Sequence, residues 1–165
     1  MRKIIIGVMG PGKNATDTDL ENAYQLGQLI AEVGWLLLTG GRNLGVMDAA
    51  SQGAKAAGGL TIGILPDRDH QAISEAVDIA IFTDMGNARN NINVLSCDVV
   101  IACGMGAGTA SEIALALKNG KKVVLLTEHH ESKGFFSSLS QGDIFLAANP
   151  LDAIEFVKEF LTKIS

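Results

Sequence analysis

The sequence predicts an α/β fold: a Rossmann-like doubly wound parallel sheet flanked by helices on both faces. Three observations predict it. Short runs such as Val99–Cys103 and Val123–Leu126 are apolar at successive positions, as strands buried on both faces are. They alternate with segments whose apolar residues recur at three and four, the spacing of one helix face. Glycine-rich turns at 40–45 and 104–108 each follow a strand and open a helix.

Taken in order, Lys3–Met9 is the first strand and Gly10–Thr16 a turn-rich loop. Asp17 or Thr18 is expected to cap a helix carrying Leu20, Ala23, Tyr24, Leu26, Gly27, Ile30, Ala31 and Val33. Gly34 ends it, and Trp35–Thr39 is the second strand. After Gly40–Gly45 comes an alanine-rich helix over Val46–Ala57, whose Gly53 suits close packing, stopped by Gly58 and Gly59. Leu60–Leu65, Asp78–Thr83, Asp98–Cys103 and Lys122–Leu126 read as further strands, with a helix opened by Gly86–Asn91 before the third of these closes on the sheet. A helix runs from about Thr109 to Lys118, which places Glu112 in its first turn. Glu128–Ser140 is expected to be a mobile loop. Ile144–Ala147 is a weaker strand, and Leu151–Leu161 a closing amphipathic helix after Asn149-Pro150.

The chain has 165 residues, enough for one domain over 1–165 with a substantial core. No linker, repeat or low-complexity tract interrupts it. No apolar run reaches spanning length and the amino terminus goes directly into a strand, so neither a membrane segment nor a signal peptide is expected. Cys97 and Cys103 read as buried reduced thiols of a cytoplasmic protein. A net charge of −5 argues against a broad nucleic-acid surface, while allowing a local positive pocket.

In such sheets, ligands bind beyond the carboxyl ends of the strands. The loops at Gly10–Thr16, Gly40–Gly45, Thr83–Arg89 and Gly104–Thr109 all follow strands and should share that edge. Glycines let backbone approach a ligand closely, and the amides of a new helix favour an anion. Thr109 adds a hydroxyl, and Lys13, Arg42 and Arg89 add positive charge. Together these features predict a phosphate seat. Arg89 at a helix start opposes the macrodipole unless an anion offsets it. Glu112 has two readings, a capping residue bonding back to an N-terminal amide or a carboxylate facing the ligand. An NAD fingerprint fits poorly, because Pro11 removes an amide and the second strand ends in Thr39-Gly40-Gly41 without an acidic residue. A Walker loop is absent, since Gly12-Lys13 is followed by Asn14. His70, His129 and His130 lack a third ligand of suitable spacing, so no fixed metal site is expected.

The stretches Thr39-Gly40-Gly41-Arg42-Asn43-Leu44-Gly45-Val46-Met47 and Gly104-Met105-Gly106-Ala107-Gly108-Thr109-Ala110-Ser111-Glu112 resemble the paired motifs of the LOG-like superfamily, the "possible lysine decarboxylase" group. Through Gly86-Asn87-Ala88-Arg89-Asn90 and Cys103–Thr109 the chain is most similar to molybdenum-cofactor carrier proteins. The resemblance implies a carrier whose cargo is the molybdenum cofactor, a phosphorylated pterin. It would be held by Gly10, Pro11, Gly12, Gly40, Gly41, Arg42, Asn87, Arg89, Gly104, Met105, Gly106, Ala107, Gly108, Thr109 and Glu112. It also implies a homodimer or homotetramer, and molybdoenzymes as recipients. The alternative is a nucleoside 5′-monophosphate phosphoribohydrolase of the LOG type, for which Arg89 and Glu112 match the catalytic pair. The chain departs from that enzyme pattern in carrying Gly104-Met105 before Gly106, Arg42 and Asp48 at motif glycines, and Asn90 at a lysine position.

Overall fold

The structure, a computed structural model, describes residues 2–163. Residues 1, 164 and 165 of the expected domain lie outside the described residues. The strands are β1 (Ile5–Met9), β2 (Leu36–Thr39), β3 (Thr61–Leu65), β4 (Ile79–Phe82), β5 (Val99–Cys103), β6 (Lys122–Leu126) and β7 (Ile144–Leu146). The helices are α1 (Asp17–Glu32), α2 (Gly45–Ala56), α3 (Asn90–Ser96), α4 (Ala107–Lys118), α5 (His130–Leu139) and α6 (Pro150–Lys163), with a 3₁₀ turn over Gly86–Arg89 before α3. All seven strands run parallel in the order β4-β3-β2-β1-β5-β6-β7. The chain therefore winds outward from β1 in one direction, then returns to pair β5 on its other side. The reversal point lies between β1 and β5.

Period-two geometry divides β5 between two cores. Val99, Ile101 and Cys103 join α1, α2 and α6 through Leu26, Ile30, Ala50 and Val157. Val100 and Ala102 join α3, α4 and α5 through Val94, Ile113 and Phe136. This is the three-layer arrangement expected of strands apolar on both faces. The edge strands β4 and β7 are the exceptions, with Ile79 and Ile81 exposed on β4 and Leu146 on β7. α1 and α2 touch backbone to backbone: a Cβ on Gly27 would lie 2.1 Å from the Ala50 carbonyl oxygen, and one on Gly53 2.0 Å from that of Tyr24.

Several expectations are corrected. Thr16, not Asp17 or Thr18, caps α1: its Oγ1 accepts from the Asp19 amide at 3.1 Å while Asp19 Oδ2 accepts from the Thr16 amide at 3.0 Å. That reciprocal pair is a capping box, and Thr18 with Glu21 has the same spacing, so the spacing alone does not choose between the two threonines. The expected loop at Glu128–Ser140 contains α5. His129 caps that helix by accepting from the Ser132 amide, and Phe136 is buried beneath it. Packing of one aromatic there outweighs a composition rich in serine and glycine. α4 begins at Ala107, two residues before Thr109, because Gly106 with φ −163° provides its extended N-cap. Glu112 consequently lies in the second turn, out of reach of a capping box.

Candidate functional site

At the reversal point, the loops after β1, β2 and β5 and the turn before α3 enclose a cavity of about 310 Å³. Gly10, Pro11, Gly12, Lys13, Gly40, Arg42, Asn87, Arg89, Met105, Gly106, Ala107, Gly108, Thr109 and Glu112 all line it. Gly41 and Gly104 do not. Gly41 is turned against Gly63, and Gly104 packs on the Asp19 carboxylate. Met9, Asn14, Leu44, Met47 and Asn90 also line the cavity, though none was among the expected ligand-holding residues.

The amino end of α4 forms one wall. Its first backward hydrogen bond is Ala110 N–H to the Gly106 carbonyl, at 2.8 Å. The amides of Ala107, Gly108 and Thr109 precede it and have no carbonyl within the helix to bond. Gly106 carries no side chain to cap them. Thr109 is 2% exposed, and its Oγ1 has no hydrogen-bond partner. A buried hydroxyl left unpaired costs about 1–3 kcal/mol, so its place at an uncapped helix start is informative. A ligand oxygen would satisfy hydroxyl and amides together.

Arg89 faces that wall. It is only 8% exposed, and its Nε donates to the Ile64 carbonyl at 2.9 Å. Nη1 donates to Asn90 Oδ1, Asn90 Nδ2 donates to Ser111 Oγ at 2.9 Å, and Ser111 Oγ donates to the Gly108 carbonyl at 2.7 Å. This relay ties the guanidinium to the first turn of α4. Burial draws the Arg89 pKa below its ordinary value, partly offset by the Glu112 charge. Glu112 is 6% exposed and accepts from Asn93 Nδ2 through Oε1 at 2.9 Å. Burial pushes its carboxyl up to about 7 against the opposing effects of Asn93 and Arg89. Asn90 and Asn93 were missed. The available signal was two asparagines three apart, on the buried face of a helix that follows Arg89.

The β2–α2 turn is more self-contained. The Gly41 amide donates to Thr39 Oγ1, the Ser74 amide to the Gly41 carbonyl, and the Val46 amide to the Pro11 carbonyl at 3.0 Å. Arg42 pairs with Asp67 at 2.9 Å, although its buried Nε has no partner. Cys97 and Cys103 are free and buried, and burial raises both thiols, which keeps them protonated. Among the described residues no cluster of three or more His, Cys, Asp or Glu could hold a metal ion, and no helix is long and apolar enough to cross a membrane.

The family model described as SLOG cluster4 matches residues 3–154. The chain belongs to the SLOG cluster4 family. The chain is similar to the molybdenum cofactor binding protein of Rippkaea orientalis, 64% identical with a TM-score of 0.96, covering 98% of this chain and 99% of that one. The molybdenum cofactor carrier protein of Chlamydomonas reinhardtii is 55% identical with a TM-score of 0.93, over 98% and 99% of the two chains. The expected kinship with cofactor carriers is borne out. A cytokinin riboside 5′-monophosphate phosphoribohydrolase of Mycobacterium tuberculosis is 34% identical over 108 residues, 61% of this chain and 55% of that enzyme. The chain thus spans about half the length of that enzyme.

Proposed function

We propose that this protein binds and carries the molybdenum cofactor, seating its phosphate at the amino end of α4 opposite Arg89. The observation that carries this reading is the unpartnered hydroxyl of Thr109, buried at an uncapped helix start that lines the same cavity as a buried guanidinium. Two protein features do the holding. The amides of Ala107–Thr109 and the Thr109 hydroxyl supply donors, and Arg89 supplies a charge that α4's dipole reinforces for an anion. Charge-assisted hydrogen bonds of this kind each contribute about 1.5–3 kcal/mol. Gly10, Gly12 and Gly40 add backbone to the same lining, with Pro11 beside Gly106 and Gly40 leaving room for the Arg89 guanidinium. A cavity of about 310 Å³ is at the lower end of small-molecule sites and suits a ligand held partly at the surface. The kinship with two cofactor-binding proteins over nearly the whole chain supports the same reading. Part of the proposal is a cytoplasmic homodimer or homotetramer of one domain, delivering its cargo to molybdoenzymes.

The test is elemental analysis for molybdenum, with the fluorescence of the oxidised pterin, on protein purified without oxygen. Stoichiometric molybdenum and pterin are expected. Protein from cofactor-producing cells that retains neither, and does not take up added molybdopterin, overturns the reading.

A second reading, nucleoside 5′-monophosphate hydrolysis, is favoured by Arg89 and Glu112 facing one cavity. There Arg89 would orient the substrate, and Glu112 would stabilise positive charge developing on the ribose or activate water. Release of free base from AMP that disappears in Glu112→Ala would favour it over carriage.

A further inference from the structure

Glu112 is a carboxyl group in a site built for an anion. An ionised Glu112 would oppose the ligand, so its protonation state bears on what the cavity accepts. The charged and titratable groups around it are few. Arg89 faces it from the turn before α3, and the Cys97 thiol lies beyond α3. Lys13 lines the cavity from the β1 loop, and Arg42, already paired with Asp67, lines it from the β2 loop. From α3 the partner is the neutral amide of Asn93. Thr109, one turn earlier on α4, is also neutral. A bound phosphate would therefore take much of Arg89's charge, leaving a nearly fully buried carboxylate without its chief counter-ion. Burying an unpaired charge is far more costly than burying a neutral, hydrogen-bonded carboxylic acid.

The geometry also says which oxygen is available. Asn93 Nδ2 donates to Oε1, so Oε1 is held as an acceptor. Among the described residues no protein hydrogen bond is made by Oε2, and Glu112 lines the cavity.

We propose that Glu112 is a specificity-determining donor: it enters the complex as the neutral acid, presents the Oε2 hydroxyl to an acceptor atom of the ligand, and takes one proton from solvent on binding. The site then selects a phosphorylated ligand with a carbonyl, ring nitrogen or phosphoryl oxygen at that position. A ligand offering an N–H there would meet a donor. The balance is simple: carboxylate plus solvent proton gives carboxylic acid, and no bond of the ligand changes. The intermediate position of the free carboxyl's titration, near 7, makes the uptake measurable at ordinary pH. This inference rests on the cavity being the anion seat proposed above.

The experiment is anaerobic calorimetric titration with molybdopterin and, separately, with AMP, from about pH 6 to about pH 8.5 in buffers of different ionisation enthalpy. Wild type and Glu112→Gln are compared, which cancels the ligand phosphate's own proton. Wild type is expected to lose affinity relative to Glu112→Gln by roughly tenfold per pH unit above neutrality, and its extra proton uptake per ligand should rise from about a tenth at about pH 6, through about one half near pH 7, to close to one at about pH 8.5. Carboxyl-carbon NMR of the unmutated protein gives an independent reading, with Glu112 titrating at higher pH in the complex than in the free protein. Identical pH profiles for wild type and Glu112→Gln, or a Glu112 that ionises more readily in the complex, overturn the inference while leaving the anion seat standing. Proton uptake seen with AMP but no binding of molybdopterin sinks the cofactor reading and supports the donor role. Failure of both probes to bind overturns both.

Discussion

The two glycine-rich turns look alike in sequence and differ in what they do. In the β2–α2 turn the chain answers most of its own donors: Pro11 takes the Val46 amide, Thr39 takes the Gly41 amide, and Asp67 takes one nitrogen of the Arg42 guanidinium, although Arg42 Nε stays unpartnered and Leu44 gives α2 no side-chain cap. In the β5–α4 turn the first-turn amides of α4 have no side-chain cap and the Thr109 hydroxyl has no partner. The first turn spends most of its donors on the chain, and the second keeps the buried, unpartnered hydroxyl on which the proposed anion seat rests.

The largest effect should come from a glycine of the first turn. Gly45 has φ +56°, and a Cβ there would lie 2.3 Å from the Gly12 carbonyl oxygen and 2.4 Å from that of Pro11. Gly45→Ala is expected to destabilise the protein by about 3 kcal/mol or more, read by urea unfolding. A loss under about 1 kcal/mol would mean that this turn is as open as the other. Next is Arg89→Ala, which removes the buried cation and the donor to the Ile64 carbonyl. It should weaken molybdopterin binding about 30- to 100-fold, or about 2–3 kcal/mol, by anaerobic titration. The matching change in the first turn, Arg42→Ala, should cost much less because Asp67 already holds that guanidinium.

Thr109→Val sharpens the contrast further. It deletes an unpartnered buried hydroxyl at nearly constant shape, so thermal unfolding should move little or upward, while binding falls about tenfold. Equal losses in both would make the hydroxyl structural. The smallest effect is expected from Gly108→Ala. Its Cβ would meet nothing within 4 Å, and alanine in a helix is favoured over glycine by about 0.8–1 kcal/mol. Stability should rise slightly, and binding should fall if the ligand lies against that backbone. Stability that rises with binding unchanged would move the seat away from Gly108.

How much of this was legible can be argued residue by residue. The strand β5 and its turn were readable because five successive apolar residues followed by alternating glycines leave few other conformations. Four loops could be assigned to one edge because parallel strands force every β-to-α connection to the same end. α5 was not readable, because its stability comes from Phe136 reaching a core supplied by residues far along the chain. Glu112's role was ambiguous for a similar reason. Its distance from the helix start depended on α4 beginning at Ala107, after the Gly106 N-cap, rather than at Thr109, and its partner Asn93 lies on another helix.

By itself, the order of apolar strands, helical repeats and glycine turns determined the parallel sheet, its winding and the edge where the glycine-rich loops gather, because these follow from local periodicity and the handedness of β-to-α connections. Only the tertiary structure decided which donors remain unspent. A hydrogen bond such as Val46 to Pro11 or Asn93 to Glu112 joins residues whose proximity exists only once the chain is packed, and those bonds separate a wall from a seat.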